Sequence, residues 1–296
     1  MKKPLLTLPL TFFLLAAYTS QNVSPIEDAK PVKKVELYVL EPGASSDPAG
    51  PGPIKMGFLI ELEPGWHIYW ANPGDAGLAP SVRWTLPAGF KAGPLLQPVP
   101  RKTVTEDIVA FEHEGPVLLL SDITPPPSVK PSDKWEAAAV LEWLACRESC
   151  IAGETPVRTI YPPDTAAVEK GRSLLASFAP RFPRPLSAAG LSAVAHATPA
   201  RAEWQVEILL SGARAAEADD FFPYPLEDFV VAHSRISCRE GRIVLPLIPS
   251  RGPDAPPPQT VRGLVIIDGA GYEVSVPVAS RPYVLLPAIN PFLAWR

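Results

Sequence analysis

Three cysteines are the residues of this sequence best suited to chemistry, and two of them lie close together. Cys146 and Cys150 have three residues between them and follow the run 135–143, whose apolar side chains alternate as on one face of a β-strand. In a fully extended chain their Cα atoms would lie about 13 Å apart, whereas a disulfide needs about 4.4–6.8 Å. The backbone is therefore predicted to turn between them, as a loop or as one helical turn.

The short spacing of this pair favours reversible redox chemistry over a purely structural bridge. Closing so small a ring stabilises a fold only slightly, because the loop-closure term grows with loop length. A structural disulfide remains an alternative, since exported proteins use disulfides freely. A metal site is disfavoured, because no histidine or third cysteine lies near the pair in sequence to complete a tetrahedral set. We therefore expect thiol–disulfide exchange with no metal and no cofactor.

Two long motifs, WLACRESCIAG at residues 143–153 and GWHIYWANPGDAGL at residues 65–78, stand out in the first half of the chain. Together they resemble the N-terminal periplasmic region of the thiol:disulfide interchange protein DsbD, in its ScsB-like branch. The residues that carry the resemblance, besides the two cysteines, are Trp66, His67, Tyr69, Trp70, Asn72, Asp75 and Trp143.

The resemblance implies both a fold and an activity. The fold is an immunoglobulin-like β-sandwich, and the activity is that of a protein-disulfide reductase component, in a family linked to cytochrome c biogenesis. The cysteine pair would take electrons from a membrane-embedded DsbD/CcdA-like donor and pass them to periplasmic thioredoxin-like thiol proteins. By the same resemblance, Cys150 is the exchanging sulfur and Cys146 the resolving one. Full-length relatives continue into membrane and thioredoxin-like domains, which we expect this chain, ending at Arg296, to lack.

The resemblance also implies a shield over the cysteine pair. In the family, a loop just before a short apolar strand caps the pair with an aromatic ring. Phe111, with Glu112 and His113 beside it, is the candidate here. A plain hairpin loop is the alternative interpretation of this stretch.

Aromatic residues between Trp66 and Trp84 could form a stacking surface for a sugar or a peptide. Alternating aromatics in a β-sandwich are more often part of the core, and we interpret them so. His67 is likewise interpreted as a packed or hydrogen-bonded histidine rather than as a catalytic base.

The N-terminus predicts export. Lys2 and Lys3 precede an apolar run over residues 4–17, which together have the form of a secretory signal peptide over residues 1–20. The run is shorter than the roughly 20 residues that span a bilayer, and we expect no later transmembrane segment. The mature chain is thus expected to be soluble and periplasmic. The net charge of the full chain is −4, and the sequence has no basic clusters, which argues against nucleic acid as a partner.

The 39 prolines among 296 residues disfavour long helices and suit loop-rich β structure. We predict an all-β chain with two immunoglobulin-like β-sandwich domains, at residues 28–163 and 191–290. A helical and proline-rich linker, residues 164–190, joins them, with the helix over residues 164–178. Besides the run 135–143, the predicted strands are 32–40, 55–62, 81–86, 117–120, 202–210, 229–232, 243–248, 261–267 and 272–278.

The third cysteine, Cys238, lies in the second predicted domain. We interpret it as a small buried residue, with a free thiol or an intermolecular bond as alternatives.

The whole sequence has one competing functional interpretation. It would then be a non-catalytic β-sandwich binding or assembly module in which the cysteine pair is a staple.

Overall fold

Strands form most of this chain, as its prolines and alternating apolar residues predict. The computed structural model describes residues 30–43 and 52–280. The predicted signal peptide lies outside these residues. Within them, no helix is both long enough and apolar enough to cross a membrane.

The first half of the chain forms two antiparallel sheets. One has the strand order β1-β2-β8-β5, and the other has the order β10-β9-β3-β7-β6 with β4 also paired to β9. The strands are β1 (Val32–Glu41), β2 (Ile54–Leu62), β3 (His67–Gly74), β4 (Ser81–Thr85), β5 (Lys91–Ala92), β6 (Arg101–Thr105), β7 (Ile108–Glu114), β8 (Val117–Thr124), β9 (Trp135–Cys146) and β10 (Cys150–Tyr161).

The second half forms a sheet of nine strands in the order β14-β18-β19-β12-β13-β17-β15, with β11 paired to β19 and β16 to β17. The strands are β11 (Arg184–Pro185), β12 (Ser192–Ala200), β13 (Glu203–Ser211), β14 (Asp220–Pro223), β15 (Phe229–Val231), β16 (Ser237–Arg239), β17 (Arg242–Pro249), β18 (Thr260–Ile267) and β19 (Ala270–Ser280). The all-β, immunoglobulin-like sandwich class is confirmed. The domain boundaries stay a prediction.

A helix, α1 (Thr165–Phe178), follows β10 as the sequence predicts. Asp164 is its N-cap, and the Asp164 carboxylate accepts a hydrogen bond from the Ala167 N–H, an arrangement that stabilises a helix by about 1 kcal/mol. The last residue of the helix, Phe178, packs with Leu40, Leu118 and Leu120 of the first half. The helix is therefore fixed against the first sandwich at its C-terminal end. Short 3₁₀ turns lie at Ala179–Arg181, Leu186–Ala189, Ala215–Glu217 and His233–Arg235.

Each half has its own hydrophobic core. The core of the first half forms because side chains alternate between the two faces of each strand. In β9, Ala137, Ala139 and Leu141 are buried between the sheets, and the intervening residues point to the opposite face. A third cluster contains residues of both halves, namely Trp70, Val109 and Phe111 from the first and Phe222, Leu264 and Ile266 from the second. The two halves therefore share a packed apolar contact.

Candidate functional site

The cysteine pair lies at the tip of the hairpin that β9 and β10 form. Cys146 ends β9, Cys150 begins β10, and the two residues are direct partners in the antiparallel register. Three residues make the turn, which a hydrogen bond from the Arg147 N–H to the Ser149 carbonyl closes. The Cα atoms lie 4.1 Å apart and the sulfurs are bonded. The predicted turn is thus a tight β-hairpin, which itself brings the two sulfurs together.

The two cysteines differ in their access to solvent. Cys146 is 3% exposed, whereas Cys150 is exposed. Cys146 lies between two neighbouring strands, since His67 of β3 is its register partner on the side away from Cys150. Cys150 begins the edge strand of the sheet. A partner protein can therefore reach one sulfur of the bridge far more easily than the other.

The sheet face that carries the disulfide also carries an ion-pair network. Register partners and residues two apart on a strand share a face, which places His67, Tyr69 and Glu112 on the face of Cys146. His67 Nε2 lies 3.2 Å from Oε2 of Glu112, and Arg101 donates to Oε1 of the same carboxylate at 2.8 Å. Arg101 also contacts Glu114. A buried carboxylate with both oxygens bonded therefore lies on the same sheet face as Cys146, with β3 between their two strands.

Tyr69 completes this face. The Tyr69 and His67 rings are nearly perpendicular, with their centroids 5.4 Å apart. Burial, together with the nearby Glu112 carboxylate, raises the pKa of the Tyr69 phenol. Tyr69 therefore stays protonated and neutral at physiological pH.

The hairpin turn is fixed against the strand that carries the aromatic motif. The Arg147 guanidinium lies over the ring of Trp66 at 5.2 Å from its centroid, a cation–π contact. Trp66 itself is 4% exposed and belongs to the first core. The contact thus holds the turn between the cysteines against a rigid part of the sandwich.

A shallow apolar groove of about 470 Å³ lies along the same hairpin. Leu144 and Ala152, each two residues from a cysteine, line it together with Leu78 from the loop after β3. Leu78 is 64% exposed. Trp143 borders the groove and donates from Nε1 to Oγ1 of Thr155.

The predicted cap must be corrected. Phe111, Glu112 and His113 lie in strand β7 rather than in a loop, because this segment pairs on both sides, with β3 and with β6. Phe111 is fully buried and its ring contacts Trp70 and Phe222. Its ring therefore packs where the two halves meet. Of the three candidates, only Glu112 reaches the face of the cysteine pair.

His113 points to the opposite side of β7 from Glu112. It is buried, and its Nε2 lies 3.1 Å from Oε1 of Gln97. Burial lowers the pKa of His113 to about 4. The side chain is therefore a neutral structural group at physiological pH.

Asn72 and Asp75 of the motif bind the second half of the chain. Asp75 Oδ1 lies 2.8 Å from Nδ1 of His233, and the Asn72 amide lies 3.2 Å from Nε2 of the same ring and donates to the Pro223 carbonyl at 2.8 Å. His233 is one of four histidines in the sequence, and this rarity is the signal that could have drawn attention to it. Nothing in the sequence indicates that its partner is Asp75. Sequence analysis missed both His233 and Arg101.

Cys238 lies on β16, away from the other two cysteines in the sheet order. It is partly buried and its thiol donates to the Ala218 carbonyl at 3.3 Å. Burial, assisted by Asp220 and Asp219, raises the pKa of this thiol to about 11.

Among the described residues there is no cluster of three or more histidine, cysteine or acidic side chains that could hold a metal ion.

The disulfide lies within a segment of the chain that matches a known family. Residues 45–162 match the family model for the N-terminal region of the thiol:disulfide interchange protein DsbD, and the match includes both cysteines. This segment of the chain is therefore similar to the N-terminal region of DsbD. No curated protein matches the chain.

A solved structure has a fold similar to that of this chain. The N-terminal periplasmic domain of ScsB from Proteus mirabilis has a TM-score of 0.56 and 17% sequence identity, and the alignment covers 77% of this chain and 88% of that one. At this identity the likeness shows the fold alone. The E. coli chaperone DraB aligns over 84% of this chain and 97% of its own at 12% identity, but its TM-score of 0.16 supports no comparison.

Proposed function

We propose that this chain is a periplasmic thiol:disulfide exchange module that passes reducing equivalents to exported thiol proteins through Cys146 and Cys150. The observation that carries the proposal is the contrast between the two sulfurs, one buried and one exposed, at the tip of a hairpin within a segment similar to the N-terminal region of DsbD. Exchange requires one sulfur that a partner can attack and a second that partners do not reach. Cys150 is the exchanging residue and Cys146 the resolving residue.

The disulfide is reduced in two displacements. A donor thiolate attacks Sγ of Cys150, the bond between the two protein sulfurs breaks, and Cys146 leaves as a thiolate with the electron pair of that bond. The donor's second thiolate then attacks the donor sulfur of the mixed disulfide and releases Cys150. The donor ends as a disulfide, and this chain has gained two electrons.

The reduced pair then transfers these electrons to its target. Cys150 attacks the disulfide of an oxidised exported protein and forms a second mixed disulfide. Cys146 attacks Sγ of Cys150, which restores the original bond and releases the target as a dithiol. A membrane-embedded DsbD/CcdA-like protein is the proposed donor, and periplasmic thioredoxin-like proteins are the proposed targets.

Two single variants test this assignment. Each variant is exported to the periplasm of a host cell, and its covalent complexes are detected by non-reducing electrophoresis. Cys146→Ser leaves an exposed thiol with no residue to resolve it, so covalent complexes with thiol proteins should accumulate. Cys150→Ser should trap far fewer partners, because its remaining sulfur is buried. The opposite asymmetry would exchange the two roles.

Reduction potential distinguishes exchange from a structural staple. Working oxidoreductases have potentials of about −120 to −270 mV, whereas structural disulfides lie below about −300 mV. The pair should equilibrate with a glutathione or thioredoxin couple in the first range. A potential below this range, combined with no trapping in either variant, would leave the non-catalytic binding module as the better account.

A further inference from the structure

Exchange through this pair creates a protonation problem at the buried sulfur. Whenever the disulfide opens, Cys146 leaves as a thiolate, and whenever a mixed disulfide is resolved, the Cys146 thiol must lose its proton. Burial in apolar surroundings disfavours the charged thiolate. A group beside Cys146 that gives and takes a proton would remove this barrier.

His67 is the titratable side chain placed to do so. It is the direct register partner of Cys146 on β3, and such partners in antiparallel strands have Cβ atoms about 4.5–5.5 Å apart on the same face. Its side chain is 18% exposed, so the ring can exchange protons with solvent. Of the two ring nitrogens of His67, Nε2 has a polar partner among the described residues and Nδ1 has none there. Nδ1 is therefore available to the sulfur.

Glu112 holds this ring from the other side. The carboxylate lies 3.2 Å from Nε2 of His67 and its side chain is 6% exposed. Arg101 occupies the other oxygen, so Glu112 is fixed in place. A carboxylate on one ring nitrogen sets the orientation of the ring.

We propose that His67 is the proton-transfer residue of Cys146 and that Glu112 is its positioning residue. The proposal rests on the proposed exchange function. In the opening step, the imidazolium of His67 donates its Nδ1 proton to the Cys146 thiolate as the sulfur–sulfur bond breaks. In the resolving step, neutral His67 takes the proton from the Cys146 thiol while Sγ of Cys146 attacks Sγ of Cys150 and the target thiolate leaves.

Several charged or titratable groups face His67, and a pH experiment must separate their ionisation from that of His67. Glu112 and Glu114 face it from β7, with Arg101 on β6 bound to both carboxylates. The Tyr69 phenol lies beside it on its own strand, and Cys146 lies opposite on β9.

Stepwise oxidation of the reduced protein by hydroxyethyl disulfide tests the proposal. Acid quenching and mass spectrometry measure first the mixed disulfide at Cys150 and then closure of the internal bond. In His67→Gln, the mixed disulfide should form at the wild-type rate, whereas closure should slow by about tenfold or more. The pH profile of closure should also lose one ionisation. Glu112→Gln should slow closure in the same direction by a smaller factor.

Controls separate a chemical effect from a damaged fold. His196→Gln, on β12 in the second half, should leave both rates unchanged. The first-step rate, measured in the Cys146→Ser background with and without His67→Gln, should be equal if the hairpin is intact. Wild-type closure rates and an unaltered pH profile in His67→Gln would overturn the proposal. A wild-type protein that forms no mixed disulfide would instead contradict the exchange function itself.

Discussion

His233 and Asp75 are joined by a hydrogen bond of 2.8 Å between Nδ1 and Oδ1, although 158 residues of sequence separate them. Because a carboxylate only accepts, the ring donates from Nδ1. Nε2 then accepts from the Asn72 amide, so both ring nitrogens are satisfied at the contact between the two halves. Asp75 also accepts from the Val109 N–H at 2.9 Å. One carboxylate thus binds the second half and fixes a strand of the first.

Asp75→Ala should destabilise the protein by about 2–4 kcal/mol, because it leaves a buried ring N–H and a backbone N–H without their acceptor. Urea unfolding of the wild type and the variant measures this free energy. Arg251→Ala is the matched control, since it breaks an ion pair to Asp228 whose arginine side chain is 76% exposed and should cost less than about 1 kcal/mol. Equal losses in the two variants would show that the His233 contact does not hold the halves together.

The sequence predicted elements that depend on neighbours in the chain. Strand β9, the turn between the cysteines and the helix that begins after Asp164 all follow from residues a few positions apart. It could not predict the partners of Asn72 and Phe111, because alternation identifies a buried face without identifying what covers it. The motif that resembles DsbD therefore makes two kinds of contact, since His67 pairs in register with a cysteine while Asn72 binds the other half.

Gly77 should be far less tolerant of a side chain than Gly252. Both have a φ near 105°, a region that strains any residue with a Cβ. A Cβ at Gly77 would also lie 2.3 Å from the buried Tyr69 ring, whereas one at Gly252 would meet nothing within 4 Å. Gly77→Ala should therefore cost about 1–3 kcal/mol more than Gly252→Ala, measured by urea unfolding. Equal costs would mean that the loop moves away from Tyr69 freely.

His113 should make stability fall as the pH decreases. Burial lowers its pKa from an ordinary 6.5 to about 4, so between these values the unfolded chain binds a proton that the folded chain does not. The stability present above pH 6.5 is therefore lost as the pH falls towards 4, by about 3 kcal/mol in total. Urea unfolding at several pH values in this window measures the slope.

His113→Gln isolates this contribution. Glutamine does not titrate and can still bond to the Gln97 amide, which His113 contacts at 3.1 Å. The variant should lose stability less steeply than the wild type between pH 6.5 and 4, while the two curves run parallel above pH 7. An unchanged slope in the variant would assign the acid sensitivity to other groups.

Cys238 should react slowly with alkylating reagents in the folded protein. Burial raises the pKa of its thiol to about 11, and the carboxylates of Asp220 and Asp219 add to that effect. Since the thiolate is the reactive form, labelling by iodoacetamide at pH 8 should be on the order of a hundredfold slower in the native state than in denaturant. Peptide mass mapping of the reduced protein measures the rate at each cysteine separately. Native labelling as fast as in denaturant would show that Cys238 is an accessible thiol. In a separate map of the non-reduced protein, a peptide linking Cys238 to Cys146 or Cys150 would show a different disulfide.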